Sequence, residues 1–277
     1  MRKTLEVRNL TRIHGPGCPR CRGQESGHDQ QDNRCPSCGS VVAIKNISFD
    51  LYEGEILGVM GESGSGKSTL IKSLYFDDHP TCGTARYHHN GSSSELFSLN
   101  AAQRRWFRFR CFGMVYQNPQ YGLNFRISAG GNIAERLLMN DVFDYGRIRH
   151  RVSELLRRTQ VPDDRMDEMP GNFSGGMQQR VQIAKALVSN PPLLFLDEVT
   201  TGLDVSVQAR TLDLIMELQA QLKTTMIVVT HDLGVIRLLT GRTLVMKCGR
   251  IVESGLTDQI LEDPQQAYTQ RLVSSAL

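Results

Sequence analysis

Short apolar runs alternate along the chain with longer stretches of helical period, which predicts an α/β fold built on a largely parallel sheet. Residues 5–10, LEVRNL, read as a first strand. Residues 42–54, VAIKNISFDLYEG, alternate apolar and polar positions, the pattern of an antiparallel strand that ends in a turn. Residues 55–60, EILGVM, form a buried strand that runs into a glycine-rich stretch, and a helix is expected over 67–75. A further strand is expected over 111–117, followed by a mostly helical segment across 128–190. LLFLDE (193–198) and TTMIVVTH (224–231) are near-continuous apolar runs, as in strands covered on both faces, with a helix over 205–222 between them. The pattern breaks at 15–40, which is rich in Gly, Pro, Gln, Asp and Cys and reads as an insertion. The chain, 1–277, is expected to be one domain, with 118–190 as a helical subdomain and residues 42–54 in an antiparallel β subdomain.

Composition adds exclusions. Hydrophobic residues make up 40% of the 277 and charged residues 22%, ordinary for a globular protein, and the chain is long enough for a substantial core. A net charge of +3 is too small to argue for a nucleic-acid or membrane partner. No apolar run approaches the roughly 18 residues that span a bilayer. The opening MRKTLEVRNL has no apolar stretch behind its charges, so no signal peptide is expected. A cytoplasmic location follows, where cysteines stay reduced. Gln103–Arg110 interleaves arginines with aromatics, as nucleic-acid sites can. A surface helix whose arginine stems cover apolar surface explains it better, because no second basic cluster supports the other reading.

Gly61-Glu62-Ser63-Gly64-Ser65-Gly66-Lys67-Ser68-Thr69 fits the G-x-x-x-x-G-K-[ST] pattern between a strand and a helix. The glycines let successive N–H groups turn inward around phosphates, and the helix N-terminus adds partial positive charge. Lys67 should reach the β- and γ-phosphates of ATP, and Ser68 should ligate Mg²⁺. LLFLDE supplies the matching acids. Asp197, at the carboxyl end of its strand, can hold the Mg²⁺ shell, and Glu198 can polarise an attacking water.

Asn172-Phe173-Ser174-Gly175-Gly176-Met177-Gln178-Gln179-Arg180 places a second Ser-Gly-Gly turn before a long helix. One domain needs only one phosphate cradle, so the second is explained if it caps a nucleotide held by a partner domain. With these motifs the chain resembles the ATP-binding-cassette family across everything but 15–40. The resemblance implies a cassette-type P-loop NTPase that hydrolyses MgATP at a site shared by two such domains, as a homo- or heterodimer. It implies that Ser174, Gly175, Gly176 and Gln178 face the partner's ATP. Gln117 resembles the Q-loop glutamine, which also approaches Mg²⁺, Asp204 the D-loop acid, and His231 the histidine that contacts the γ-phosphate. Val199 stands where the family usually has Pro, which alters turn stiffness but no catalytic group. His14 holds the place of an aromatic that stacks on adenine; an imidazole can stack there or stay in solvent.

Cys18-x2-Cys21 and Cys35-x2-Cys38 are separated by thirteen residues. Each pair aims two thiolates at one point, and two pairs complete a tetrahedral Zn²⁺ site, giving a small zinc-ribbon-like insertion. In a reducing compartment zinc is favoured over unpaired or disulfide-linked cysteines, and over iron–sulfur. A structural role is expected, because 26 polar residues cannot build a core without the metal. Cys82, Cys111 and Cys248 lack such spacing and read as packing residues.

Between the motifs, residues 128–138, 174–215, 230–258 and 263–277 resemble the ATP-binding subunit of the carbon–phosphorus lyase system. That resemblance implies docking on a soluble enzyme core. The alternative is the ATPase of dipeptide and oligopeptide importers, which sits on a membrane permease and shares GLDVSVQA (202–209) and a terminal YT-x-x-L-like helix. After the Q-loop, importers tend to read SLNP and then VGEQI, where this chain has GLNFRISAGGNIAERL, and importers usually continue beyond the last helix, whereas this sequence stops at Leu277. The cysteine insertion is not part of the lyase pattern. DNA-repair cassettes also carry zinc modules, but with coiled coils or duplicated cassettes that are not seen here. A non-hydrolysing clamp is disfavoured by the presence of Glu198 and His231.

Overall fold

The computed structural model describes residues 2–23, 33–89 and 91–275. The middle of the cysteine insertion and the last two residues of the sequence, Leu277 among them, lie outside that range. Two compact units divide the chain, Met1–Arg104 with Ile227–Leu277, and Arg105–Met226. The strands are β1 (Lys3–His14), β2 (Val41–Tyr52), β3 (Ile56–Met60), β4 (Cys82–His89), β5 (Ser92–Glu95), β6 (Phe112–Val115), β7 (Leu193–Asp197), β8 (Thr225–Thr230), β9 (Arg242–Lys247) and β10 (Arg250–Leu256).

In the first unit an antiparallel sheet runs β2-β1-β4-β5. Its register follows from the alternation in β2: Ile47, Phe49 and Leu51 are buried while Asn46 and Ser48 face outward, and Val7 pairs with Phe49. The first strand is longer than the expected 5–10. It continues past a bulge, where Asn9 (φ 51°) and Asn46 (φ 52°) bend the pair and Thr11 Oγ1 accepts the Asn46 N–H at 3.0 Å. At the end of β2, the Glu55 carboxylate accepts the Tyr52 N–H at 2.8 Å and pairs with Arg242 at 2.7 Å, tying the turn to β9.

β3 lies parallel to β9, β9 antiparallel to β10, and β8 flanks β3 on its other side. All six residues of β8 are buried, as its unbroken apolar run requires. Met60, Ile236, Val245, Ile260, Leu261 and Tyr268 form the cluster that packs helices Leu233–Leu239, Thr257–Glu262 and Ala267–Ser274 onto this layer.

In the second unit β6 and β7 are parallel, with Phe112 opposite Leu193. The helical segment resolves into Ala129–Leu138, Tyr145–Arg158 and Gly175–Leu187, packed through Ile133, Ile148, Val152, Leu155, Val181 and Ala184. Ser128, Asp144 and Ser174 cap the three N-termini, each accepting an N–H three residues on. Gln103–Arg110 falls in a helix, Ala101–Arg110, in which Phe107 is the buried residue. Its last turn is held by the buried Arg136, whose guanidinium donates to the carbonyls of Arg108 (2.9 Å) and Phe112 (2.5 Å). Helix Val205–Leu222 spans its expected range and ends on Lys223 in the left-handed region. Among the described residues, no helix is long and apolar enough to cross a membrane.

Candidate functional site

The loop 61–66 ends β3 and begins helix Lys67–Leu74. Two of its glycines are obligatory. Gly61 (φ 150°) would set a Cβ 2.2 Å from the Met246 carbonyl, and Gly66 (φ 102°) would set one 2.2 Å from the Ala43 carbonyl. The loop is held from several sides. Gly249 donates its N–H to the Ser65 carbonyl (2.9 Å), and the Glu62 N–H is taken by the Tyr268 hydroxyl (3.1 Å). Gly66 has no side chain to cap the helix behind it, so the N-terminus is shaped to receive an anion. Lys67 is buried, and its ammonium lies over the loop, donating to the carbonyls of Gly61 (2.7 Å) and Glu62 (2.9 Å). A cavity of about 250 Å³ opens beside the loop, lined by Asn33, Ser63, Gly64, Lys247 and Tyr268 among others.

His231 follows β8 in the same unit and is exposed, just before Asp232, which caps helix Leu233–Leu239 through the N–H groups of Gly234 and Val235. His14, at the far end of β1, is exposed too, 3.7 Å from the Asp78 carboxylate that also binds Arg12.

The second unit carries the other motif residues. Asp197 is buried at the end of β7, and Glu198 leaves the strand at φ 45°, a left-handed conformation costly for a residue with a Cβ. That turn ends the expected 193–198 strand one residue early. The Glu198 carboxylate accepts from Gln117 Nε2 (3.0 Å) and Thr201 Oγ1 (3.3 Å). Gln117 and Glu198, 81 residues apart, are thus in direct contact. Ser174 and Gly175 are exposed at the start of helix Gly175–Leu187. Gln178, by contrast, turns its amide back onto its own loop, donating to the carbonyls of Pro170 and Phe173 at 3.0 Å each. Asp204 is exposed and begins helix Val205–Leu222 without a side-chain cap bond.

The cysteines meet in the first unit. The four sulfurs of Cys18, Cys21, Cys35 and Cys38 all lie within 4.8 Å of one another. Neighbouring pairs are 3.4, 3.7 and 3.2 Å apart, near the roughly 3.8 Å edge of a tetrahedron with Zn–S bonds of 2.3 Å. Burial pushes the Cys21 thiol up to about 12, while the hydroxyl and backbone of Ser40 bring Cys38 down to about 6. Four converging thiols in a polar loop, with no disulfide geometry among them, are a donor set that suits zinc.

The cluster is fastened to its surroundings. Lys45, buried in β2, donates to the carbonyls of Gly23 (2.9 Å) and Cys21 (3.3 Å), and burial lowers its pKa. Asn33 accepts the Val42 N–H on its carbonyl (2.8 Å) and donates its side-chain amide to the Gly64 carbonyl at 2.9 Å. The insertion therefore touches the glycine-rich loop.

Sequence reasoning missed Asn33 and Tyr268. Asn33 and Tyr268 act through contacts 31 and 206 residues away and carry no local signal.

Comparison with known proteins is consistent with this geometry. The family described as ABC transporter matches residues 44–201. PhnK of Escherichia coli strain K12, provisionally described as a phosphonates utilization ATP-binding protein, is 45% identical over 99% of this chain and 97% of its own. The di/tripeptide transport ATP-binding protein DppF of Pseudomonas aeruginosa is 36% identical over 99% of this chain and 79% of its own. Among solved structures, the dimeric ATP-binding cassette MJ0796, in a post-hydrolysis state bound to ADP and Pi, aligns with a TM-score of 0.75 at 27% identity, covering 91% of this chain and 98% of that one.

Proposed function

Because the chain belongs to the ABC transporter family of ATP-binding cassettes, we propose that it is the ATP-hydrolysing subunit that drives a soluble phosphonate carbon–phosphorus lyase complex. Cassettes of this kind bind ATP with Mg²⁺, hydrolyse it and dimerise. The observation that carries the finer reading is the similarity to the phosphonates utilization protein, which extends over nearly the whole of both chains. The segment Ser128-Ala129-Gly130-Gly131-Asn132 supports it, since it departs from the importer pattern where a cassette meets its partner. The buried Asn132 stiffens that segment, accepting the Asn124 N–H (2.7 Å) and donating to the Ser128 carbonyl (3.0 Å).

In this reading the Gly61–Thr69 segment wraps the phosphates, using N–H groups other than those of Glu62 and Ser65, which are held by Tyr268 and the Glu62 carbonyl, and Lys67 holds the β- and γ-oxygens. Ser68, Asp197 and Gln117 surround Mg²⁺. Glu198 polarises the attacking water, and His231 meets the γ-phosphate. His14 supplies a face for adenine. Ser174, Gly175 and Gly176, with Asp204, address the ATP of a second cassette subunit, identical or not. Gln178, named with them, braces that turn through the carbonyls of Pro170 and Phe173. ATP closes the pair and hydrolysis reopens it; a docked complex that prefers one state is thereby worked upon.

Deleting the gene should abolish growth on a phosphonate as sole phosphorus source while sparing growth on phosphate and uptake of peptides. Normal growth on phosphonate, with peptide uptake lost and the tagged chain recovered on membrane permease subunits, assigns it to the importer class instead.

Cys18, Cys21, Cys35 and Cys38 hold a structural Zn²⁺ in this reading. Protein purified without added metal should contain about one zinc per chain. Replacing Cys35 and Cys38 together by Ser should release it and open 15–40 to proteases, with the rest of the chain staying resistant. MgATP affinity should fall only a few-fold, through the Asn33–Gly64 bond. Metal-free protein with a protease-resistant insertion would remove zinc from the account.

A further inference from the structure

Gln182 is 1% exposed on helix Gly175–Leu187, flanked by the buried Val181, Ile183 and Ala184. A carboxamide in such surroundings must find partners, because an unpaired buried polar group is costly. Gln182 finds both on one residue. Its Oε1 accepts the Tyr116 N–H at 2.7 Å and its Nε2 donates to the Tyr116 carbonyl at 3.0 Å. Gln179, one turn earlier and also buried, orients the amide by accepting from Nε2 at 3.1 Å. The side chain thus offers Tyr116 the paired donor and acceptor that a neighbouring strand would offer.

The following loop is seated on the same helix. A Cβ at Gly122 would lie 2.1 Å from Gln182 Oε1, so the chain passes in close contact with that amide. Lys185 donates to the Gly122 carbonyl at 3.0 Å and pairs with Glu135 at 2.9 Å. Both ends of 116–122 are fastened to one helix face. Just inside the first fastening stands the exposed Gln117, 3.0 Å from Glu198 Oε2.

We propose that Gln182 is a positioning residue for ATP hydrolysis: by gripping the Tyr116 peptide it sets where Gln117 stands relative to Glu198. It also ties that placement to the helix that opens at Ser174, about 12 Å away at 1.5 Å per residue. Because a helix moves as a rigid element, engagement of Ser174 by a second subunit is transmitted to Gln117 chiefly through this amide, the one side chain of the helix that holds both peptide groups of Tyr116, with a longer bond from Gln179 Nε2 to the Tyr116 carbonyl (3.4 Å) beside it. The inference rests on the roles proposed above for Gln117 and Glu198.

Gln182→Met keeps the side-chain volume and deletes both bonds to Tyr116 and the one to Gln179, so it separates hydrogen bonding from packing. In the purified full chain, MgATP affinity should stay within about twofold of wild type while kcat falls about tenfold. The Mg²⁺ concentration for half-maximal turnover should rise several-fold, which a mere loss of folded protein would not produce. Placed on Gln117→Ala, the same substitution should cost less than about a further twofold, because its effect passes through Gln117. Wild-type kcat and Mg²⁺ dependence in Gln182→Met, or effects that multiply in the double variant, overturn the proposal. Unchanged turnover in Gln117→Ala alone sinks instead the reading of Gln117 on which it rests. Should Gln182→Met not fold, amide exchange in the wild-type chain decides. A Tyr116 N–H as protected as that of Met114 in β6 upholds the grip, and exchange at loop rates refutes it.

Discussion

Glu198→Gln is expected to bind MgATP within a few-fold of wild type and to lose roughly 10²–10⁴-fold in turnover, the contribution of a well-placed general base. Local geometry makes this a clean substitution. The backbone at 198 is left-handed for glutamate and glutamine alike, so no new strain enters. The side-chain oxygen can still accept from Gln117 Nε2 and Thr201 Oγ1, which hold the carboxylate at 3.0 and 3.3 Å. What disappears is the negative charge and the ability to draw a proton from water. An ATP-bound dimer should therefore accumulate, visible as an ATP-dependent shift in size-exclusion chromatography. Turnover within a few-fold of wild type would take Glu198 out of the catalytic role.

Lys67→Ala should fail at an earlier step. Its ammonium is buried against the carbonyls of Gly61 and Glu62, already inside the loop that is to receive phosphate. A charge-assisted hydrogen bond is worth about 1.5–3 kcal/mol, so losing it should weaken MgATP binding roughly 10- to 150-fold. Titration with a fluorescent ATP analogue reads that loss directly. A melting curve without nucleotide shows how much comes from leaving two carbonyls unpaired. The two variants should separate cleanly, with Glu198→Gln binding and not turning over, and Lys67→Ala scarcely binding. If Lys67→Ala keeps wild-type affinity but melts lower, Lys67 is a latch of its own loop and not a phosphate ligand.

Order and kind of element were legible in the sequence because they rest on local pattern. The apolar runs of β3, β7 and β8 lie where periodicity put them, and Lys67–Leu74 begins where the glycines end. Departures arise where a distant group competes with the ladder. The expected strand 111–117 stops at Val115 because Gln182, 66 residues on, takes both peptide groups of Tyr116. The expected 193–198 strand loses its last residue because Glu198 turns left-handed. Of the candidate site, the residue types and their order were readable, and so was the convergence of four cysteines from two CPxC turns. The braces were not: Tyr268 under Glu62, Asn33 on Gly64 and Gln182 on Tyr116 are pairings that no window of sequence contains. Gln178 shows the converse, a motif residue whose amide serves its own loop.

The cysteine insertion leaves β1 after His14 and rejoins the fold at Val41, and those two residues stand opposite each other in the sheet. A segment whose ends already meet can be lengthened, shortened or exchanged without shifting the register of the hairpin that carries it. The position is therefore a natural graft point, where a lineage can acquire a foreign module without relearning how to fold. This insertion, however, is not mechanically insulated. Asn33 reaches the Gly64 carbonyl, and Lys45 reaches out of β2 to hold the carbonyls of Cys21 and Gly23. Asn33 couples the insertion to the glycine-rich loop and Lys45 couples it to the strand behind, so a disturbance of one is felt by the other.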